Sequence, residues 1–99
     1  MNLVSLDDIT GDGNTHSLVE AGDPRAGKYV QLLADPDNTG TIRVGGPNTT
    51  ANRGLPLAPG ASMNYSPVSE AMISFYPLEK IFYNAPNGDK LYVQYLVGA

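Results

Sequence analysis

Ninety-nine residues, 41% of them hydrophobic, fit one small domain. A chain of this length buries only about 60–70% of its unfolded surface, so an oligomer or a docking partner would add to a modest core. The absence of cysteine excludes disulfides and thiolate metal sites. Residues 1–40 hold seven acids against two bases and residues 41–99 three against four, a balance of −5 and +1 that argues against nucleic acid as a partner.

Residues 1–10 carry neither a basic nor an apolar leader segment, so no signal peptide is expected, and no apolar run approaches the roughly 20 residues that span a bilayer. Glycine and proline make up 19 of the 99 residues and punctuate short runs rich in Val, Ile, Tyr, Thr and Leu. That spacing predicts a single all-β domain over 1–99: a small antiparallel β-sandwich or barrel, jelly-roll-like. Strands are expected near 3–6, 15–21, 28–34, 40–45, 62–65, 72–76, 79–84 and 90–97, with residues 1–14 open to an extended arm or loop. The window 69–76, SEAMISFY, has helical spacing, but Pro67 and Pro77 limit it to about a turn.

Along the first part of the chain, residues 8–20 have a calcium-loop outline. Asp8, Thr10, Asp12, Gly13 and Asn14 fill its early places, but Val19 stands where a bidentate glutamate is required, so a glycine turn is the better reading. In KYVQLLA (28–34) both parities carry apolar or aromatic residues, which predicts a strand covered on both faces. The turn DPDNTG precedes TIRVGG, where Ile42 and Val44 share one side of a strand. In NRGLPLAPGASM (52–63), Pro56 and Pro59 confine the extended piece to a sheet edge, and Leu55 and Leu57 are expected to anchor it to the core as a covered edge. Finally, Asn87-Gly88 favours a primed turn, which predicts a hairpin joining residues 79–84 to 90–97. LYVQYLV (91–97) repeats the double parity: with Leu91, Val93, Tyr95 and Val97 inward, Tyr92 and Leu96 need another cover.

Enzymatic chemistry finds little in these residues. His16 is the single histidine, no G-x-S-x-G elbow is present, and the acids Asp7 and Asp8 read as solvated. The glycine turns lack the lysine and helix of a phosphate cradle. No cofactor and no metal are expected. Six tyrosines among Leu, Val and Asn suit protein or sugar contacts, so a carbohydrate- or receptor-binding β-module, as at a fibre tip, stacking on Tyr65, Tyr76 or Tyr83, is the alternative reading.

The order of motifs resembles a known family. Asn38-Thr39-Gly40, then Ile42-Arg43-Val44-Gly45 with its polar loop, then residues 54–60, residues 78–82, and Asn87-Gly88 leading into the last strand are similar to small β-sandwich proteins encoded beside the coat-protein genes of tailed bacteriophages. The resemblance covers residues 28–97. It implies a non-enzymatic virion structural protein, a capsid decoration or cement protein. Such a protein binds the major capsid protein on the outside of the head, commonly as a trimer, and has neither nucleic-acid nor membrane partners. Together with the doubled parity, this predicts a homotrimer with contacts drawn from Tyr92, Leu96, Phe82, Leu55 and Leu57.

Overall fold

The chain runs as one long antiparallel ribbon, doubled back near its midpoint and rolled into two facing sheets. The computed structural model describes residues 2–27, 29–65 and 76–97. Their strands are β1 (Asn2–Ser5), β2 (Ile9–Thr10), β3 (Thr15–Ser17), β4 (Ala26–Gly27), β5 (Tyr29–Ala34), β6 (Ile42–Gly45), β7 (Leu55–Leu57), β8 (Ser62–Tyr65), β9 (Tyr76–Pro77), β10 (Phe82–Asn84) and β11 (Lys90–Val97). The expected strand 72–76 and the helical window 69–76 lie outside the described residues except for Tyr76, which opens β9.

In the first sheet β1 and β2 share one edge of β11, followed by β5 and β8; the second sheet runs β3-β10-β6-β7, and β4 and β9 form a separate two-stranded ladder. All of these pairings are antiparallel. Taking β1–β2 as one interrupted strand and setting β4–β9 aside, the path is that of a jelly roll, with the ribbon partners β1/β2–β11, β3–β10, β5–β8 and β6–β7. The sheets face one another without closing into a barrel.

The period-2 alternation of the strands turns Val30, Leu32 and Ala34 of β5 and Leu91, Val93 and Tyr95 of β11 inward. Ile42 and Val44 of β6, Leu57 of β7 and Tyr83 of β10 meet them from the other sheet. Burial of each leucine- or valine-sized side chain contributes about 1.5–3 kcal/mol. The run expected as a strand to residue 21 leaves the ladder after Ser17, and Leu18 and Val19 plug the core from a bend. The run expected to begin at residue 79 instead opens with a 3₁₀ turn, Leu78–Lys80, that buries Leu78.

Two expectations are corrected here. Residues 79–84 and 90–97 are not a hairpin, because β10 belongs to the second sheet and β11 to the first. A primed type I turn needs positive φ at both central residues, yet Gly88 alone of the two has it, at 88°, and no described non-glycine residue does. With Asp89 N–H donating to the Pro86 carbonyl at 3.0 Å, the turn has the signature of type II, whose twist splays strands instead of pairing them. The turn docks elsewhere: Gly88 N–H donates to the Gly11 carbonyl, and Gly11 N–H to the Asp89 carbonyl. Gly11 is there because a Cβ would lie 2.5 Å from both the Ala85 Cβ and the Pro86 carbonyl oxygen.

The second correction concerns the central stretch. β7 is a sheet edge, as the prolines require, but it is not a covered one. Leu57 beside Ile42 is buried, whereas Leu55 beside Val44 is 56% exposed. With Pro56 at its centre, unable to donate to a ladder, β7 is only three residues long, and Leu55 lies at its start.

The outer side of the second sheet carries its own cover. Thr15, Asn84 and Arg43 stand in one cross-strand row. Asn84 Nδ2 donates to Thr15 Oγ1 at 3.1 Å, and Thr15 Oγ1 donates to the carbonyl of the buried Thr49 at 2.7 Å. Arg43 reaches the Gly54 carbonyl at 3.1 Å, so the loop between β6 and β7 is tied back over this sheet.

Candidate functional site

The outer side of the first sheet is built differently, and the register defines it. Its two central strands carry the same outward triplet, Tyr29-x-Gln31-x-Leu33 on β5 and Tyr92-x-Gln94-x-Leu96 on β11. Antiparallel pairing sets Tyr29 against Leu96, Gln31 against Gln94, and Leu33 against Tyr92. Leu3 of β1 extends the first row beside Leu96, and Ser5 and Asn64 extend the glutamine row on either side. All six triplet side chains are half-buried, and Leu3 is 60% exposed. The result is two apolar, aromatic bands separated by a polar ladder.

Local hydrogen bonds hold this face rigid. Gln94 Nε2 donates to Gln31 Oε1 at 2.8 Å, which aligns the two amides across the ladder. The Tyr92 hydroxyl donates to the Asp35 carboxylate, while the Asp37 N–H donates to the other oxygen of Asp35 at 2.8 Å. The Tyr92 bond, followed by that of Asp37, holds the Asp35 carboxyl below its ordinary value. The same bond pushes the Tyr92 hydroxyl up to about 12, with desolvation and the charges of Asp35, Asp8 and Asp37 adding to it. A tyrosine fixed at its tip presents its ring with little entropy left to lose. A groove of about 300 Å³ opens beside it, with Ser5, Leu6, Asp8, Gln31, Leu33 and Gln94 in its walls.

The turn after β5 is clamped beneath Tyr92. Buried Asp89 accepts the N–H of Thr39 at 3.0 Å, that of Gly40 at 2.9 Å and the Thr39 hydroxyl at 3.1 Å. Asn38 exchanges two bonds with the Lys90 backbone, its Nδ2 donating at 2.9 Å and its Oδ1 accepting at 2.7 Å.

The five residues expected at an interface do not form one patch. Tyr92 and Leu96 lie on this face. Phe82 is half-buried on β10 of the other sheet, Leu55 is exposed on the β7 edge, and Leu57 is a core residue. Sequence reasoning missed Leu3, Tyr29 and Leu33 as members of the face. The repeated Tyr-x-Gln-x-Leu triplet is the signal that could have found the last two.

A second, polar groove of about 660 Å³ lies at the sandwich mouth, with Asp12, His16, Glu20, Asp23, Arg25 and Tyr83 in its lining. His16 Nε2 sits 2.9 and 3.0 Å from the two Asp12 oxygens, and Asp12 also takes the Asn14 N–H at 2.9 Å. The Asn14 bond, then that of His16, holds the Asp12 carboxyl low. Arg25 pairs with Asp23 at 2.8 Å. Asp23 and Arg25 are therefore already matched in charge, and the Asp12 carboxylate is already hydrogen-bonded. Among the described residues no group of three or more His, Asp or Glu side chains could hold a metal ion. The Tyr83 ring is buried, 6.0 Å from that of His16. Tyr65 is half-buried against the core, and the side chain of Tyr76 lies outside the described residues.

Comparison with protein-family models, with curated proteins and with solved structures returned no match for this chain.

Proposed function

We propose that this chain is a structural protein of a phage virion, of the capsid decoration type, which docks on the outside of the coat lattice and stabilises the head. The observation that carries the reading is the outer face of the first sheet. Ordered tyrosines and leucines there are half-exposed, in a domain whose other sheet is partly covered by its own loop. An apolar patch rimmed by polar groups marks a protein contact. The resemblance of residues 28–97 to small head proteins points the same way. So does the jelly roll by fold-level analogy, since it recurs in viral capsid and lectin domains. The lectin alternative draws less support, because the rings of Tyr65 and Tyr83 that a sugar would stack on are packed into or against the core.

The test is co-sedimentation with shells assembled from the major capsid protein of the virus that encodes the chain, followed by heating of the decorated shells. Bound protein and a raised shell-disruption temperature are expected. Both should be lost in the folded Tyr92→Ser/Leu96→Ser double variant. Shells that neither bind the wild-type chain nor gain heat resistance from it would overturn the reading. Light scattering of the free and bound chain checks the trimer that this reading includes.

A further inference from the structure

Among the described residues the docking face has a charged rim at one end only. Asp35, in the turn after β5, accepts the Tyr92 hydroxyl, and the charges of Asp37 in the same turn and of Asp8, in the bulge between β1 and β2, act on that hydroxyl. Asp8 and Asp37 are exposed, and no described residue hydrogen-bonds to either carboxylate. Among the described residues Lys90 is the one cation acting on this cluster, its backbone bonded to that of Asp35. The groove of about 300 Å³ runs into the rim, with Asp8 in its wall next to Leu33 and Tyr92.

Resting on the docking reading above, we propose that this face takes a basic protein surface and not a second copy of the chain: a partner that sets an apolar side chain into the groove by Leu33, Tyr92 and Gln94 and offers Lys or Arg side chains to Asp8 and Asp37. The described residues of a second copy offer no such complement. The chain carries a net charge of −4. Its described arginines and lysines other than Lys90 lie away from the face. Arg25 is paired with Asp23, Arg43 donates to the Gly54 carbonyl, Arg53 belongs to the loop between β6 and β7, and Lys80 ends the 3₁₀ turn. Self-association through this face would thus bury its apolar bands while leaving two acidic rims unpaired, which disfavours the wrong partner. A cationic partner gains attraction at the rim and desolvation of the bands together. Because the rim is exposed, its share is screened by salt over about 8–10 Å.

The experiment is an amide NMR titration of the full chain with two synthetic peptides of equal length, one alternating leucine with lysine and the other leucine with glutamate. Shifts on adding the lysine peptide are expected at Leu33, Tyr92, Gln94 and Asp8, with no comparable binding of the glutamate peptide. Affinity should fall about three- to tenfold in Asp8→Asn/Asp37→Asn and in high salt. Tyr92→Ser/Leu96→Ser should abolish it. The proposal is overturned if the lysine peptide does not bind, if both peptides bind alike, or if the shifts centre on Asp12, Glu20 and Asp23 in the other groove. Sedimentation equilibrium supplies a further check. Self-association that Tyr92→Ser/Leu96→Ser abolishes would assign the face to a second copy, overturning this inference while leaving the shell-binding result to judge the docking reading separately.

Discussion

Asp89 shows how one side chain supports the face without belonging to it. Three donors from Thr39 and Gly40 converge on its buried carboxylate and fix the turn that carries Asp35 to Tyr92. The Thr39 N–H, ahead of the Gly40 N–H and the Thr39 hydroxyl, holds the Asp89 carboxyl below its ordinary value. A depressed carboxylate contributes stability that is complete above its unfolded pKa of about 3.9 and disappears as pH falls through the folded value. Asp12, Asp23 and Asp35 are shifted in the same direction. The thermal midpoint should therefore be level from about pH 5 to 8 and decline below about pH 4. Asp89→Ala should cost about 2–3 kcal/mol at neutral pH and make that acid decline shallower, as read by thermal unfolding across pH. Tyr92 obeys the opposite sign. Its raised value means that the contribution of its hydrogen bond is whole below about pH 10 and is lost as pH rises toward about 12. Replacing Asp35 by Asn removes the first cause of that shift, so an ultraviolet or NMR titration should find Tyr92 ionising nearer the ordinary tyrosine value of about 10.

At the scale of elements, the turn over 85–89 separates two kinds of glycine. Gly88 has positive φ with nothing within 4 Å of a built Cβ, so Gly88→Ala meets a backbone penalty alone, about 1 kcal/mol. Gly11 has no such φ, but an added Cβ would overlap the Ala85 side chain and the Pro86 carbonyl, so Gly11→Ala should cost about 2–3 kcal/mol by forcing the turn off the β2 loop. Chemical denaturation of the two variants should rank them in that order. The same turn marks the limit of what the sequence discloses. Breakers and alternation placed strands near 28–34, 40–45, 62–65 and 90–97 and an extended edge piece around Leu55 and Leu57, because these signals are local. Asn87-Gly88 pointed to a hairpin because local chemistry permits one, whereas the actual turn type follows from docking on Gly11, some 75 residues away. The candidate site divides along the same line. Tyr92 and Leu96 were legible from the parity of their own strand. Phe82, Leu55 and Leu57 were not, because which sheet a strand joins and how far its edge is covered depend on pairing with distant segments.

The whole molecule has one property that none of its elements has. Every strand pairing joins a strand that ends by Gly45 to one that begins at Leu55 or later. Neither half of the chain contains a strand pair of its own among the described residues. The core is shared in the same way, with Val30, Leu32, Ile42 and Val44 from one half packed against Leu57, Leu78, Leu91 and Val93 from the other. Topologies dominated by such distant pairings close large loops before any contact compensates the entropy, so folding in milliseconds to seconds or slower is expected. A sharper consequence concerns a chain divided at its midpoint. Ala51 and Asn52 are exposed at the tip of the loop between β6 and β7, within the turn bridged by Thr50 and Arg53. Fragments 1–51 and 52–99 made separately should each lack cooperative unfolding and strand circular dichroism, since an unpaired strand has no ladder and half a core cannot exclude water. Mixed in equal amounts, they should recover the strand spectrum and a concentration-dependent unfolding transition, because the cut removes no ladder and only the linkage between ribbon arms. A cooperative transition in either fragment alone would show that one half folds without the other, and the doubled-ribbon account of this fold would then be wrong.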